Sequence, residues 1–378
     1  MKKKVLRITT VPISLKLLLE GQLKMLNNYY DIVAVSAYGK ELEEVKDREK
    51  IRTVGIYIER RFTPFKDVKS LFALIRLIYK EKPWMVHTMT PKAGLLGMIA
   101  AWVCMVPVRM HTFTGLIFPA SKGIKRVLLK TTDKITCACA TIINPEGNGV
   151  KNDLLKNNIT NIDKLYVIGN GNVNGIDVSY FNRTESVLRK AKNIRKKKYT
   201  TFCFIGRIVG DKGINELIEA FIKLTNEFTK CRLIMVGDFE DKIDPIKPTN
   251  KKIIFENQQI IFTGWQDDIR PFLAASDIFV FPSYREGFPN VVLQAGAMGL
   301  PCIVTDINGC NEIIHNKVNG LIIPSKNTNA LLNAMRYMYL NKKERINMGH
   351  KSRELIINRY NRPYVWNELK KLYHNLET

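Results

Sequence analysis

The sequence predicts an α/β protein made of two Rossmann-like, doubly wound domains facing each other across a cleft. Three observations carry that expectation. The chain has 378 residues, enough for two domains of ordinary size. Short β-branched runs alternate with stretches of helical spacing, as in a parallel sheet with crossover helices. The alternation pauses once, at a charged stretch poor in large apolar residues, and then restarts.

In the first half the expected strands are "VLRIT" (5–9), "DIVAVSA" (31–37), "VGIYI" (54–58), "WMVHTM" (84–89) and "VRMHTF" (108–113). Helical spacing fills the intervals 15–26, 67–82 and 92–104. The pause is "RTESVLRKAKNIRKKKYT" (183–200). Beyond it come "TFCFIGR" (201–207), "CRLIMVGD" (231–238), "QIIFTG" (259–264), "DIFVFPS" (277–283), "CIVTD" (302–306) and "GLIIP" (320–324), with helical patterns between and after them. The expected division is a first domain over 1–178, a linker over 179–198, a second domain over 199–358, and a last helix, 359–378, packing back on the first domain.

Composition narrows the class. The seven cysteines lack the spacing of a zinc site and read as buried reduced thiols of a cytosolic protein. The basic and apolar start, "MKKKVLRITTVPISLKLLLEG", is interrupted by Arg7 and Lys16 and lacks a small-residue cleavage site, so it reads as a strand and helix. The apolar run 93–108 falls short of the roughly 20 residues that span a bilayer. Net charge is +24, and residues 60–134 hold 14 Lys and Arg against Asp67, Glu81 and Asp133. Such a field suits nucleic acid, an anionic lipid surface or a phosphate-rich substrate, and composition alone does not choose among them. Aromatics are not interleaved with the basic residues as stacking platforms require, so nucleic acid is not an expected partner.

Ligands of open α/β sheets sit at the carboxyl ends of strands, so chemistry is expected in those loops. The turn "IGRIVGDKG" (205–213) combines flexible Gly206 and Gly213 with Arg207 and Lys212, a bidentate fork and a point charge suited to a diphosphate. Further on, "REGFPNVVLQAGAMGLPCIVTD" (285–306) opens a helix at Pro289, whose free N–H groups and dipole favour an anion. Glu286 precedes that helix, and Asn290 and Gln294 share one of its faces.

Together these motifs resemble the family-four retaining glycosyltransferases of GT-B fold. "HTMTPKAGLLGMIAA" (87–101), "HTFTGL" (111–116) and "GNGNVNGID" (169–177) are similar to the bacterial capsular-polysaccharide and O-antigen branch, whose members extend glycans on polyprenyl diphosphate. The resemblance implies that Arg207 and Lys212 grip the donor diphosphate. It implies further that Glu286 lies near the transferred sugar, His111 contacts that sugar, and Gly206, Gly237, Asp238, Trp265, Gly287, Phe288, Pro289 and Asn290 line the nucleotide site. His87 is expected near the cleft, although the His-x-His of many relatives reads His87-Thr88-Met89 here. Where the family has a second glutamate on the ribose, this chain has Gln294, a neutral replacement. The glycine-rich "GNGNVNG" lacks dinucleotide spacing and is assigned to the hinge and cleft floor.

The function implied is retaining transfer of a hexosyl or N-acetylhexosaminyl group from a nucleotide diphosphate donor, a UDP-sugar, to a lipid-linked glycan. No cofactor or metal is expected, and the placement implied is peripheral on the inner face of the cell membrane. Segment 67–82, with Leu71, Leu74, Ile75 and Ile78 between Lys and Arg, and "FPASKGIKRVLLK" (118–130) offer amphipathic basic surface for anionic lipid. Two alternatives stand beside this reading: a nucleotide-sugar epimerase of the same fold, and a non-catalytic lipid-binding relative.

Overall fold

The computed structural model describes residues 2–59, 63–242 and 244–377. The chain forms two compact units. One comprises the residues up to Gly175 together with those from Pro363 onward, and the other runs from Ile176 to Arg362.

The first unit holds a parallel sheet of β1 (Lys4–Ile8), β2 (Asp31–Ser36), β3 (Arg52–Gly55), β4 (Met85–Met89), β5 (Val108–Phe113) and β6 (Ile142–Pro145), in the order β3-β2-β1-β4-β5-β6. Alternate residues of each strand feed opposite faces, as the two-residue period of a strand requires. Leu6, Ile8, Val33, Val35 and Val86 meet helices Pro64–Glu81 and Pro91–Val103 on one face. Val5, Ile32, Ala34 and Met85 belong to the core of the other face, together with Leu369, Leu372 and Tyr373 of the last helix, Arg362–Asn375.

The second unit repeats the plan with β7 (Thr200–Ile205), β8 (Cys231–Val236), β9 (Ile260–Phe262), β10 (Ile278–Phe281), β11 (Cys302–Thr305) and β12 (Gly320–Ile323), ordered β12-β11-β10-β7-β8-β9. Both orders reverse direction once, between β1 and β4 and between β7 and β10. Such a switch point parts the flanking loops and opens a crevice at the carboxyl ends of the strands.

The structure differs from the sequence reading in three places. Strand β6 was not expected, because "IINP" is short and ends in proline. It tolerates Pro145 as the last strand of the sheet, paired with β5 and bridged on its other side only locally, where the Ile143 carbonyl accepts from the Tyr166 N–H at 2.9 Å. The segment expected as a linker carries helix Glu185–Ile194, whose Val187 and Ala191 are buried in the second unit's core. On helix Pro64–Glu81 the stripe Leu71, Leu74, Ile75 and Ile78 faces the core, leaving Phe65, Val68, Phe72 and Tyr79 exposed instead. Helix Gly123–Cys139 likewise exposes Ile124, Val127 and Leu128 among its basic residues. No helix among the described residues is long and apolar enough to cross a membrane.

Candidate functional site

Adjacency of β7 and β10 brings the two sequence motifs of the second unit together. The loop leaving β7 turns at Gly213, whose φ of 69° lies in the left-handed region and whose missing side chain leaves room for the carbonyl of Pro282 at the exit of β10. Any side chain there would push the loops apart. Held by this contact, Lys212 forms an ion pair with Glu286, both side chains being mostly buried. Ser283 Oγ donates to Glu286 Oε1 at 2.7 Å, and Thr305 Oγ1 at the end of β11 donates to the carbonyl of Ser283. Both bonds fall on one oxygen of the carboxylate, Oε1, which Lys212 and Ser283 hold together.

Asp211 staples the same loops. Its carbonyl accepts from the N–H of Tyr284 at 2.8 Å, and its carboxylate receives Arg285 Nη2 at 2.9 Å. Arg207 reaches outward and pairs with Glu240 at 2.7 Å, with both side chains well exposed. Next along the sheet, Gly237 adopts a φ of 133°, and a side chain there would strike the carbonyl of Gly206. Asp238 Oδ1 accepts the backbone N–H of Trp265 at 3.0 Å, so the ends of β8 and β9 are tied into the same crevice. The Trp265 ring is 63% exposed and its Nε1 donates to Asp267 at 3.2 Å.

Helix Asn290–Ala297 starts one residue later than the sequence suggested, with Pro289 as its N-cap. Asn290 and Gln294 are both partly exposed on it. Gly287 is buried, and its carbonyl lies where a side chain on Gly309 would go. Phe288 is 5% exposed and its ring rests 5.5 Å from that of Tyr360, so this side chain packs inward.

His111 belongs to the first unit. It is buried in β5, bonded through Nδ1 to Thr88 Oγ1 at 2.8 Å and set edge-on to Phe113. Burial pushes its pKa down to about 3, so the imidazole is neutral at physiological pH. His87 does not line an open surface: it is 2% exposed, with Nδ1 beside Arg7 and Tyr373 and Nε2 beside Thr112. The glycine-rich run is a locked turn at the unit boundary, where Asn172 Oδ1 accepts from the N–H groups of Asn174 and Gly175.

Residues 187–355 match the family model "Glycosyl transferases group 1", and residues 17–144 match "Glycosyl transferase 4-like". The capsular polysaccharide biosynthesis glycosyltransferase CapM of Staphylococcus aureus is 31% identical over 98% of this chain and 97% of its own. The chain belongs to the group 1 glycosyltransferases. An Escherichia coli relative, UDP-Gal:alpha-D-GlcNAc-diphosphoundecaprenol alpha-1,3-galactosyltransferase, is 31% identical over 83% of this chain and 81% of its own. Anabaena HepE, solved in complex with UDP, superposes with a TM-score of 0.83 over 98% of this chain and 100% of its own at 15% identity, a likeness of fold. The glycosyltransferase has the GT-B architecture, two Rossmann-like units with parallel six-stranded sheets. Its sequence left unremarked the residues that orient Glu286 and its loop: Ser283, Asp211 and Thr305. Ser283 stands three residues before Glu286 in the same loop, a spacing that suits a side chain folding back on its neighbour.

Proposed function

We propose that this glycosyltransferase moves a sugar from a nucleotide diphosphate donor, UDP-linked, to a glycan on polyprenyl diphosphate during capsule or O-antigen synthesis, with retention at the anomeric carbon. The observation that carries the reading is the Lys212–Glu286 pair at the β7/β10 switch point. A cation and a carboxylate held together there match the two ends of a nucleotide sugar, phosphate and hydroxyl. The names of the capsular and diphosphoundecaprenol relatives support the acceptor class, and the UDP-Gal in one of them supports the donor.

In this reading Lys212 and Arg207 take the donor diphosphate as their own carboxylate partners give way, and stabilise the charge that grows on the leaving group. The N–H groups at the start of helix Asn290–Ala297 add a positive dipole end. Glu286, released from Lys212, binds sugar hydroxyls and offsets positive character at the anomeric carbon. The acceptor hydroxyl attacks from the leaving-group side and gives its proton to the departing phosphate oxygen. Gly206, Gly237, Asp238, Trp265 and Gln294 bound the nucleotide, with Gln294 donating and accepting to the ribose without charge. The exposed apolar residues of helices Pro64–Glu81 and Gly123–Cys139, set among Lys and Arg, hold the enzyme on the inner face of the membrane.

The test is turnover of UDP-sugars on a polyprenyl diphosphate glycan, with the product's anomeric configuration read by NMR. Arg207→Ala or Lys212→Ala should each lower turnover on the order of 100-fold. Glu286→Gln should lower it severely while UDP affinity changes little, and Gln294→Glu should stay active. Near-normal turnover in both cation variants, or an inverted product, sinks the reading.

A further inference from the structure

A cavity of about 700 Å³ lies in the second unit at the amino ends of β10 and β11, the opposite edge of the sheet from the donor loops. Arg183, Arg195, Lys342, Arg345 and Arg353 line it, against Asp277 and Glu354. Asp277 is already committed, accepting from Arg195 at 3.0 Å and from the Thr201 N–H at 2.9 Å. Arg183, Arg345 and Arg353 instead spend bonds on backbone carbonyls. Arg183 donates to Met298 and Ala274, Arg353 to Ala297 and Phe181, and Arg345 to Met338.

These contacts cap helix ends, which accounts for one or two N–H groups of each guanidinium. They do not account for three arginines that form no ion pair at contact distance among the described residues, Arg183 and Arg345 feeling only the field of Asp277, gathered around open space. Arg345 is 6% exposed, and of its nitrogens only Nη1 is hydrogen-bonded among the described residues. A guanidinium of small total exposure whose unspent donors still reach open space suits an anion, and its fork matches phosphate oxygens. Apolar Ile346 and Ile357 on the same wall suit the organic part of such a ligand.

We infer that this cavity binds a small organic phosphate, separately from the donor. It also reaches the donor loops. Helix Asn290–Ala297 begins just after Glu286 and ends at the carbonyls that Arg353 and Arg183 hold, about 12 Å away at 1.5 Å per residue. A phosphate drawing on those arginines alters how that helix end is held, so cavity and donor crevice are coupled, and each ligand changes the other's affinity by the same factor. The coupling rests on the proposed function, whereas the binding does not.

The experiment is calorimetric titration of inorganic pyrophosphate into the full chain carrying Arg207→Ala and Lys212→Ala, which removes the donor-site cations. Saturable one-to-one binding is expected. Arg345→Gln should weaken it about tenfold or more, the scale of a charge-assisted hydrogen bond. Lys342→Glu, at an exposed position with no fold to lose, should weaken it severalfold. UDP affinity should shift with pyrophosphate present in both the otherwise unaltered chain and the Arg345→Gln variant through competition at Arg207 and Lys212, but by a different factor in the two, and an equal shift in both overturns the coupling. Absence of saturable binding to the Arg207→Ala/Lys212→Ala chain, or equal affinity with and without Lys342→Glu, overturns the inference. So does loss of phosphatidylglycerol-vesicle retention in Lys342→Glu, which would make the anion a lipid headgroup. Failure of UDP binding alone overturns the proposed function and leaves the cavity standing.

Discussion

Arg207 and Lys212 both meet carboxylates of their own chain, and the two pairs differ in kind. Lys212–Glu286 is mostly buried, while Arg207–Glu240 is exposed and therefore worth about 0.2–1 kcal/mol. Glu240 competes with any diphosphate for Arg207. Glu240→Gln should then tighten UDP binding by up to about fivefold, read by calorimetry. Unchanged or weaker binding would show that Arg207 is not a diphosphate ligand. That Lys212 and Glu286 meet was legible because both motifs stand in loops after strands, and the roles expected of them and of Arg207 came from the resemblance. The supports, Ser283, Asp211 and Thr305, were not, because a hydroxyl that orients a neighbour looks in sequence like any loop hydroxyl.

At the scale of elements, strands buried on both faces announced themselves as unbroken β-branched runs, while amphipathic elements with few apolar residues did not. Helix Glu185–Ile194 shows why: only Val187 and Ala191 are buried, an i,i+4 pair that sufficed to seat it, hidden among seven basic residues between 183 and 197. The last helix was legible as a helix, and its attachment proves polar as well as apolar. Tyr373 accepts from the buried Arg7 at 2.7 Å and lies 2.6 Å from His87. Among the described residues Arg7 has no carboxylate partner, and its Nε finds no acceptor. Tyr373→Phe should therefore lower unfolding free energy by about 1–3 kcal/mol, the cost of stranding a buried donor. Tyr364→Phe, at a partly exposed position of the same helix, should change it by less than about 0.5 kcal/mol. Urea unfolding of the two variants decides, and equal effects would refute the network's role.

At the scale of the whole molecule, the doubled strand order was implicit in two rounds of strand–helix alternation, and the charge excess was plain from composition. Which apolar residues of the basic helices remain outside was not, since a helix with two apolar stripes does not say which one faces the core. With Phe65, Phe72 and Ile124 exposed, phosphatidylglycerol vesicles should sediment the enzyme more than phosphatidylcholine vesicles do, and salt should weaken the retention as screening shortens to about 8 Å at physiological ionic strength. Replacing those three residues by Ser should reduce sedimentation further. Equal sedimentation by both vesicle types counts against membrane docking.

The second unit is one unbroken stretch of chain, whereas the first is written in two parts that enclose it. During synthesis the order of completion is therefore inverted. Residues 176–362 hold everything their own core requires and can close as soon as they emerge, at roughly 5–20 residues per second. The earlier-made sheet must wait with the pocket for Leu369, Leu372 and Tyr373 unfilled, and Arg7 without its phenol, until residues 363–377 have been made. A chain stalled or cleaved before residue 363 would present a finished second unit and a first unit whose core lacks Leu369, Leu372 and Tyr373.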